Sequence, residues 1–207
     1  MSTRSPLIVM FALVLFCAAG TFPAGRAEEA RDGRGDEDLK IEKFLLEAEI
    51  VEDKPLGEGI TRPRRIVLKK EGVTARALFK TIDRDEYEPS FTSRVEMHFT
   101  DKYVYEVAAY RLDKLINLEM VPVAVPRTVD GDEGSLRFLP KNWIDEASRQ
   151  QEGSGGSAWC PLQEQWNAMF VWDVLTYNDG RNGRNIHYSL DLWQLMLVGH
   201  EDAISAR

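Results

Sequence analysis

The 207-residue sequence predicts an α+β fold, on three observations. Short β-rich runs separated by turn-forming residues fill 44–80 and recur at 121–139 and 186–198. One strongly periodic apolar helix lies between the first two groups, just after Asp101. A second helical stretch begins at Leu162.

In chain order, residues 1–27 read as a secretory signal: Arg4 supplies a positive start, an apolar run extends from Leu7 to about Ala19, and Gly25 and Ala27 offer a small-residue cleavage site. That run falls short of the roughly 20 residues a bilayer span needs, and no second candidate follows, so no membrane span is expected after cleavage. The product is expected in the periplasm or secreted. Residues 28–43 are charged, with almost no apolar content over 28–40, and read as a flexible leader. From Phe44, the runs FLLEAEIV, RRIVLKK and ARALFK read as three antiparallel strands, the last two pairing across Glu71-Gly72. The polar segment Asp83 to Phe99 reads as a loop. The helix that follows repeats Val104, Val107, Ala108, Leu112, Leu115 and Ile116 at helical spacing, with Asp101 as its cap. Strands are expected over Val121–Val129 and Ser135–Leu139. Residues 149–158, RQQEGSGGSA, have the composition of a linker. On the second helix Leu162, Trp166, Met169, Phe170 and Asp173 share a face, and short strands over Ile186–Leu190 and Trp193–Val198 close the pattern.

Composition narrows the function classes. With 43% apolar and 29% charged residues the chain can bury a core of its own. Loss of residues 1–27 removes Arg4 and Arg26 but no acid, taking the formal charge from −8 to −10. That balance argues against nucleic acid or anionic membrane as partner. Only Cys160 remains after cleavage, so no internal disulfide is possible. The histidines, His98, His187 and His200, are scattered, no zinc-ligand spacing occurs, and no G-x-S-x-G nucleophile elbow is present. Trp143 and Trp172 read as packing residues.

Three constellations could carry chemistry. Gly57 and Gly59 lie between two strands in LGEGITRPRR, where backbone amides can cradle an anion. Lys80 ends a strand, and Glu106 follows on the next helix; a lysine held by a helical glutamate can present its ammonium to nucleotide phosphates. After the second helix comes the polar turn NDGRNGRN, and then QLMLVGH. Each motif is common by itself, and their order along the chain carries the information.

In that order the sequence resembles the bacterial relatives of phosphatidylinositol 3- and 4-kinases and of the secretory-pathway protein kinases. The matching segments are GITRP at 59–63, ALFK ending at Lys80, EVAAYRLDKLI from Glu106, MVPVAVPR from Met120, GSL at Gly134, and Asp173, Asn178, Arg181, Asn182 and Asn185 in register. The resemblance spans about 44–204 and implies a protein-kinase-like two-lobed fold: an N-lobe of antiparallel sheet plus helix over 44–139, a hinge and linker over 140–159, and a truncated C-lobe over 160–207. It implies ATP at Gly57, Gly59, Lys80 and Glu106, and Mg²⁺ near Asn185.

Two departures weigh against catalysis. In the family register the loop aspartate falls on Gly180 and the metal-binding strand aspartate on Gly199. Phosphoryl transfer relies on metal charge and positioning, so an inactive, kinase-like protein retaining nucleotide or partner binding is expected. One alternative is an active ATP-dependent phosphotransferase in which Asp179, next to the missing acid, serves as catalytic group. Another is a protein-interaction module, because a C-lobe ending at Arg207 would expose apolar faces carrying Trp166, Phe170 and Trp193.

Overall fold

A computed structural model describes residues 24–57, 63–87, 98–155 and 162–200. Its first helix, α1 (Ala24–Glu47), runs through the expected leader and replaces the expected strand at Phe44. Its second half belongs to the compact unit Glu37–Arg207. Leu45 and Ala48 are wholly buried, and Ile41 and Phe44 pack against the same core, so apolar burial overrides the β-propensity of FLLE. Arg127 donates to the carbonyls of Leu45 and Ala48, satisfying orphan acceptors at the helix end. The signal residues 1–23 lie outside the described residues.

Strands β1 (Glu49–Pro55), β2 (Arg64–Lys70) and β3 (Val73–Lys80) follow. Glu71 and Gly72 both have positive φ, 51° and 80°, the primed turn whose twist suits a two-residue hairpin. The expected loop after Lys80 instead holds a paired hairpin, β4 (Asp83–Tyr87) with β5 (His98–Lys102). Its strands are polar, so they carry no alternation by which to recognise them.

Helix α2 (Tyr103–Ile116) begins without a side-chain cap: Lys102 is the N-cap, and Asp101 lies buried on β5. The buried face also differs from the apolar stripe. Glu106, Val107, Ala109, Tyr110 and Asp113 face inward, while Val104, Leu115 and Ile116 are exposed. Tyr110 and Lys114 donate to Glu42 of α1, which accounts for the polar residues on this face. Asp113 accepts from the backbone N–H groups of Glu119, Met120 and Val121 at 3.2, 2.9 and 3.1 Å and so shapes the turn after the helix. Burial pushes its carboxyl up to about 6 despite those bonds.

Strands β6 (Ala124–Val129) and β7 (Asp132–Leu139) complete an antiparallel sheet of order β1-β2-β3-β7-β6. At Gly134 the neighbouring end of β3 leaves no room for a side chain. A Cβ there would stand 2.3 Å from the Lys80 carbonyl oxygen and 2.7 Å from the Phe79 ring. The missing side chain lets Ser135 pair with Lys80 across the strands.

The segment expected as hinge and linker carries β8 (Trp143–Asp145) and α3 (Glu146–Glu152), which Asp145 caps by accepting from the Ser148 N–H at 2.8 Å. Helix α4 (Leu162–Thr176) buries Met169 and Trp172. Strands β9 (Ile186–Ser189) and β10 (Leu195–Leu197) join β8 in a second antiparallel sheet, β10-β9-β8. The Leu197 N–H donates to the Met120 carbonyl at 2.7 Å and Gln194 to that of Glu119 at 2.6 Å, tying this sheet to the turn after α2. The result is a mixed α+β architecture with antiparallel sheets. No helix among the described residues is long and apolar enough to cross a membrane.

One stability prediction follows from α3. Hydrogen bonding from Arg149 holds the buried Glu146 carboxyl down at about 2, against the ordinary 4.5. A depressed carboxylate stabilises the fold above the unfolded pKa and loses that contribution as pH falls through the folded one. Melting of wild type and Glu146→Gln compared from pH 7 to pH 2 is expected to show a gap on the order of 2 kcal/mol at neutral pH, discounted for the partly exposed Arg149, that closes between pH 4.5 and 2.

Candidate functional site

Lys80 is the last residue of β3, and its strand partner is Ser135. Because strand side chains alternate, Ser135 and Arg137 project from the same side of β7, and Glu106 lies one turn into α2 against them. Glu106 is the hub. Its Oε2 lies 3.6 Å from Lys80 Nζ and accepts from Ser135 Oγ at 3.4 Å, and its Oε1 lies 2.8 Å from Arg137 Nε. Exposure is 7% for Lys80, 1% for Glu106 and 5% for Arg137.

A buried carboxylate with two cations is an electrostatic compromise. Burial works to raise the Glu106 pKa, but the charges of Lys80 and Arg137 overcome it and hold the group below the usual glutamate range. Burial pulls Lys80 down from the ordinary lysine value, with Glu106 opposing. Asp101 is raised by burial, against the charges of Lys80 and Arg84, and its Oδ1 has no hydrogen-bond partner among the described residues. The expected Lys80 and Glu106 are thus brought together. Arg137 and Asp101 were missed, although Arg137 leaves a signal: it is the one charged residue between Leu136 and Phe138 in an otherwise apolar run.

Gly57 ends the described part of the β1–β2 connection, exposed, with φ 67°. Gly59 lies outside the described residues.

The turn after α4 is organised around Arg181. Its Nη2 donates to Asp173 Oδ1 at 2.7 Å and its Nε to Asp173 Oδ2 at 3.0 Å, a forked pair on a partly buried guanidinium. Its Nη1 donates to the Val198 and Asn185 carbonyls at 2.7 and 3.2 Å, clamping the turn to the strand beyond it. Asn178 also donates to Asp173, at 3.2 Å. Asn182 accepts from the Arg184 N–H at 2.9 Å and donates to the Gly180 carbonyl at 3.0 Å. These are the residue types that hold a tight polar turn.

Asn185 and Gly199 are in contact. The Asn185 amide donates to the Gly180 carbonyl at 3.3 Å, and a Cβ on Gly199 would stand 2.8 Å from Asn185 Cγ and Nδ2. Gly199 also has φ 72°, a conformation that L side chains rarely adopt. The space for a carboxylate at 199 is therefore filled by Asn185. Among the described residues no cluster of three or more His, Cys, Asp or Glu could hold a metal ion. Asn185 offers one neutral amide beside two glycines, a donor set that does not fit Mg²⁺, which takes carboxylate and phosphate oxygens.

His200 is wholly buried. The Trp172 indole N–H donates to its Nε2 at 3.3 Å, and Arg181 Nη2 stands 3.4 Å from the same nitrogen. Burial, then the charges of Arg181, Arg137 and Lys80, hold it well below the ordinary histidine range, so the ring is neutral. Asp179, by contrast, is exposed, on the rim of a cleft of about 820 Å³ lined by Trp166, Phe170, Asp173, Val174 and Tyr177. On α4 and at the residue just past its end, Phe170, Val171, Val174, Leu175 and Tyr177 are between 55% and 75% exposed. Trp166 and Trp193, expected on this face, are half-buried, Trp166 donating to the Tyr188 hydroxyl at 3.0 Å. No protein-family model matches the chain, and neither does any curated protein sequence.

Proposed function

We propose that this is an exported, kinase-like, two-lobed protein that binds a nucleotide and does not transfer phosphate. The observation that carries the proposal is the buried Lys80–Glu106 pair, 3.6 Å apart, combined with glycine at both positions where the resemblance calls for an aspartate. A lysine held at the end of a strand by a helical carboxylate is the arrangement that presents an ammonium to nucleotide phosphates. Catalysis would further need carboxylates at 180 and 199, and Asn185 fills the space at 199.

The test is a thermal shift of the full chain with ATP, run beside a phosphotransfer assay with Mg²⁺ or Mn²⁺. A shift with no transferred phosphate is the expected result. Transfer abolished by Asp179→Ala would sink it in favour of an active enzyme. A second reading, an interaction module, is favoured by the apolar residues that α4 leaves exposed. Under that reading ATP produces no shift, and Phe170→Glu with Val174→Glu abolishes association with a protein partner.

A further inference from the structure

The exposed side of α4 is apolar and uncharged. Between 165 and 178 the one acidic or basic side chain is Asp173, and the forked pair with Arg181 holds it. The chain as a whole has 29% charged residues and a net charge of −8. A partner of opposite charge therefore finds nothing to pair with on this face, whereas a second copy brings no like-charge contact to it. Two shapes also lie side by side there. Phe170, Val174 and Tyr177 help to line the cleft of about 820 Å³, while Val171 and Leu175, one residue further round the helix, stand outside its wall. Both are exposed, and their i, i+4 spacing makes them a ridge running beside a groove. A two-fold axis fits such a surface to itself, each ridge entering the other copy's groove. The area agrees. At 55–75% exposure the five apolar side chains offer roughly 600 Å² per copy, against roughly 800 Å² per partner in a specific interface of ordinary size, and the cleft walls add to it.

We infer that the chain forms a two-fold symmetric dimer through α4, with the Val171–Leu175 ridge of each copy seated in the cleft of the other. The inference rests on the interaction reading of the proposed function and takes the partner to be a second copy of the chain.

The molar mass of the full chain is measured by sedimentation and light scattering from about 1 to 100 μM, beside the thermal shift with ATP. Wild type is expected to be a dimer that dissociates on dilution. Val171→Glu combined with Leu175→Glu is expected to weaken the dimer by about 100-fold or more, with the circular dichroism of the fold retained, since both side chains are exposed. Leu115→Glu, at an 81% exposed position of α2, is the control and leaves the dimer unchanged. A dimer that survives the ridge substitutions, or that Leu115→Glu disrupts equally, overturns the inference. A wild-type monomer with no ATP shift overturns it and leaves the interaction reading to a different protein; a monomer that ATP does shift overturns both. A dimer that ATP shifts keeps the inference and removes the interaction reading as the sole function. Should the double glutamate variant fail to fold, Val171→Ser with Leu175→Ser takes its place, and an undiminished dimer again overturns the inference.

Discussion

Glu106→Ala is expected to destabilise the fold by about 3–5 kcal/mol, the cost of removing one partner from a buried ion pair and leaving the other charge uncompensated. Here two cations are left, since Lys80 and Arg137 share the same carboxylate at 3.6 and 2.8 Å. The pH dependence carries a sign that distinguishes electrostatics from packing. Burial already favours the neutral amine of Lys80, and without Glu106 that preference strengthens. The folded state then binds fewer protons than the unfolded one, so the variant should be least stable at low pH and recover as pH rises toward the ordinary lysine range. Chemical denaturation of Glu106→Ala, Arg137→Met and the double variant from pH 6 to pH 10 checks this. The double variant should be less destabilised than the sum of the single ones, because removing both groups leaves one buried cation instead of two. A pH-independent, strictly additive loss would show Glu106 to be a packing residue.

Gly199→Asp, the change that would supply the carboxylate called for by the kinase-like reading we propose, is expected to destabilise by about 2–4 kcal/mol and to bring no phosphate transfer. Holding a side chain at φ 72° costs roughly 1–2 kcal/mol. The remainder comes from the Cβ, which would stand 2.8 Å from Asn185 Cγ and Nδ2, a neighbour tethered by its bond to the Gly180 carbonyl. Melting of the single variant and of Gly199→Asp combined with Asn185→Ser separates the two contributions: the shorter serine should recover the steric part and leave the backbone part. A stable Gly199→Asp that binds Mg²⁺ and transfers phosphate would overturn the reading that Asn185 and Gly199 are packed against each other in place of a metal site.

Arg181 ties together the residues that the sequence marks and those it does not. Its forked pair with Asp173, its bonds to the Val198 and Asn185 carbonyls and its approach to His200 hold the polar turn, the residue after β10 and His200 in one arrangement. The histidine is thereby a packing group against Trp172, their rings edge-on at 6.1 Å.

By itself the sequence determined the α+β class, the hairpin at Glu71-Gly72, helix α4, the pairing of short strands after Met120, and the candidacy of Lys80 and Glu106. Those features are local: turn dipeptides, apolar periods and the order of motifs are written in neighbouring residues. Tertiary structure decided what depends on burial. FLLE became the end of α1 because Leu45 and Ala48 enter the core, overriding local propensity. The buried face of α2 rotated onto Glu106, Tyr110 and Asp113 because Glu106 and Tyr110 find partners across the fold and Asp113 finds them in the turn after the helix, which no apolar stripe can register. The β4–β5 hairpin was hidden by its polarity, and Asp101 was read as a cap because capping is judged from chain position alone. Arg137 joined the site only through strand register, which sets it beside Ser135 and against α2, and the lack of room at Gly199 depends on a side chain fourteen positions earlier in the chain. In each of these cases distant residues settle the matter, since the free energy of a buried charge or a close contact depends on what surrounds it in space.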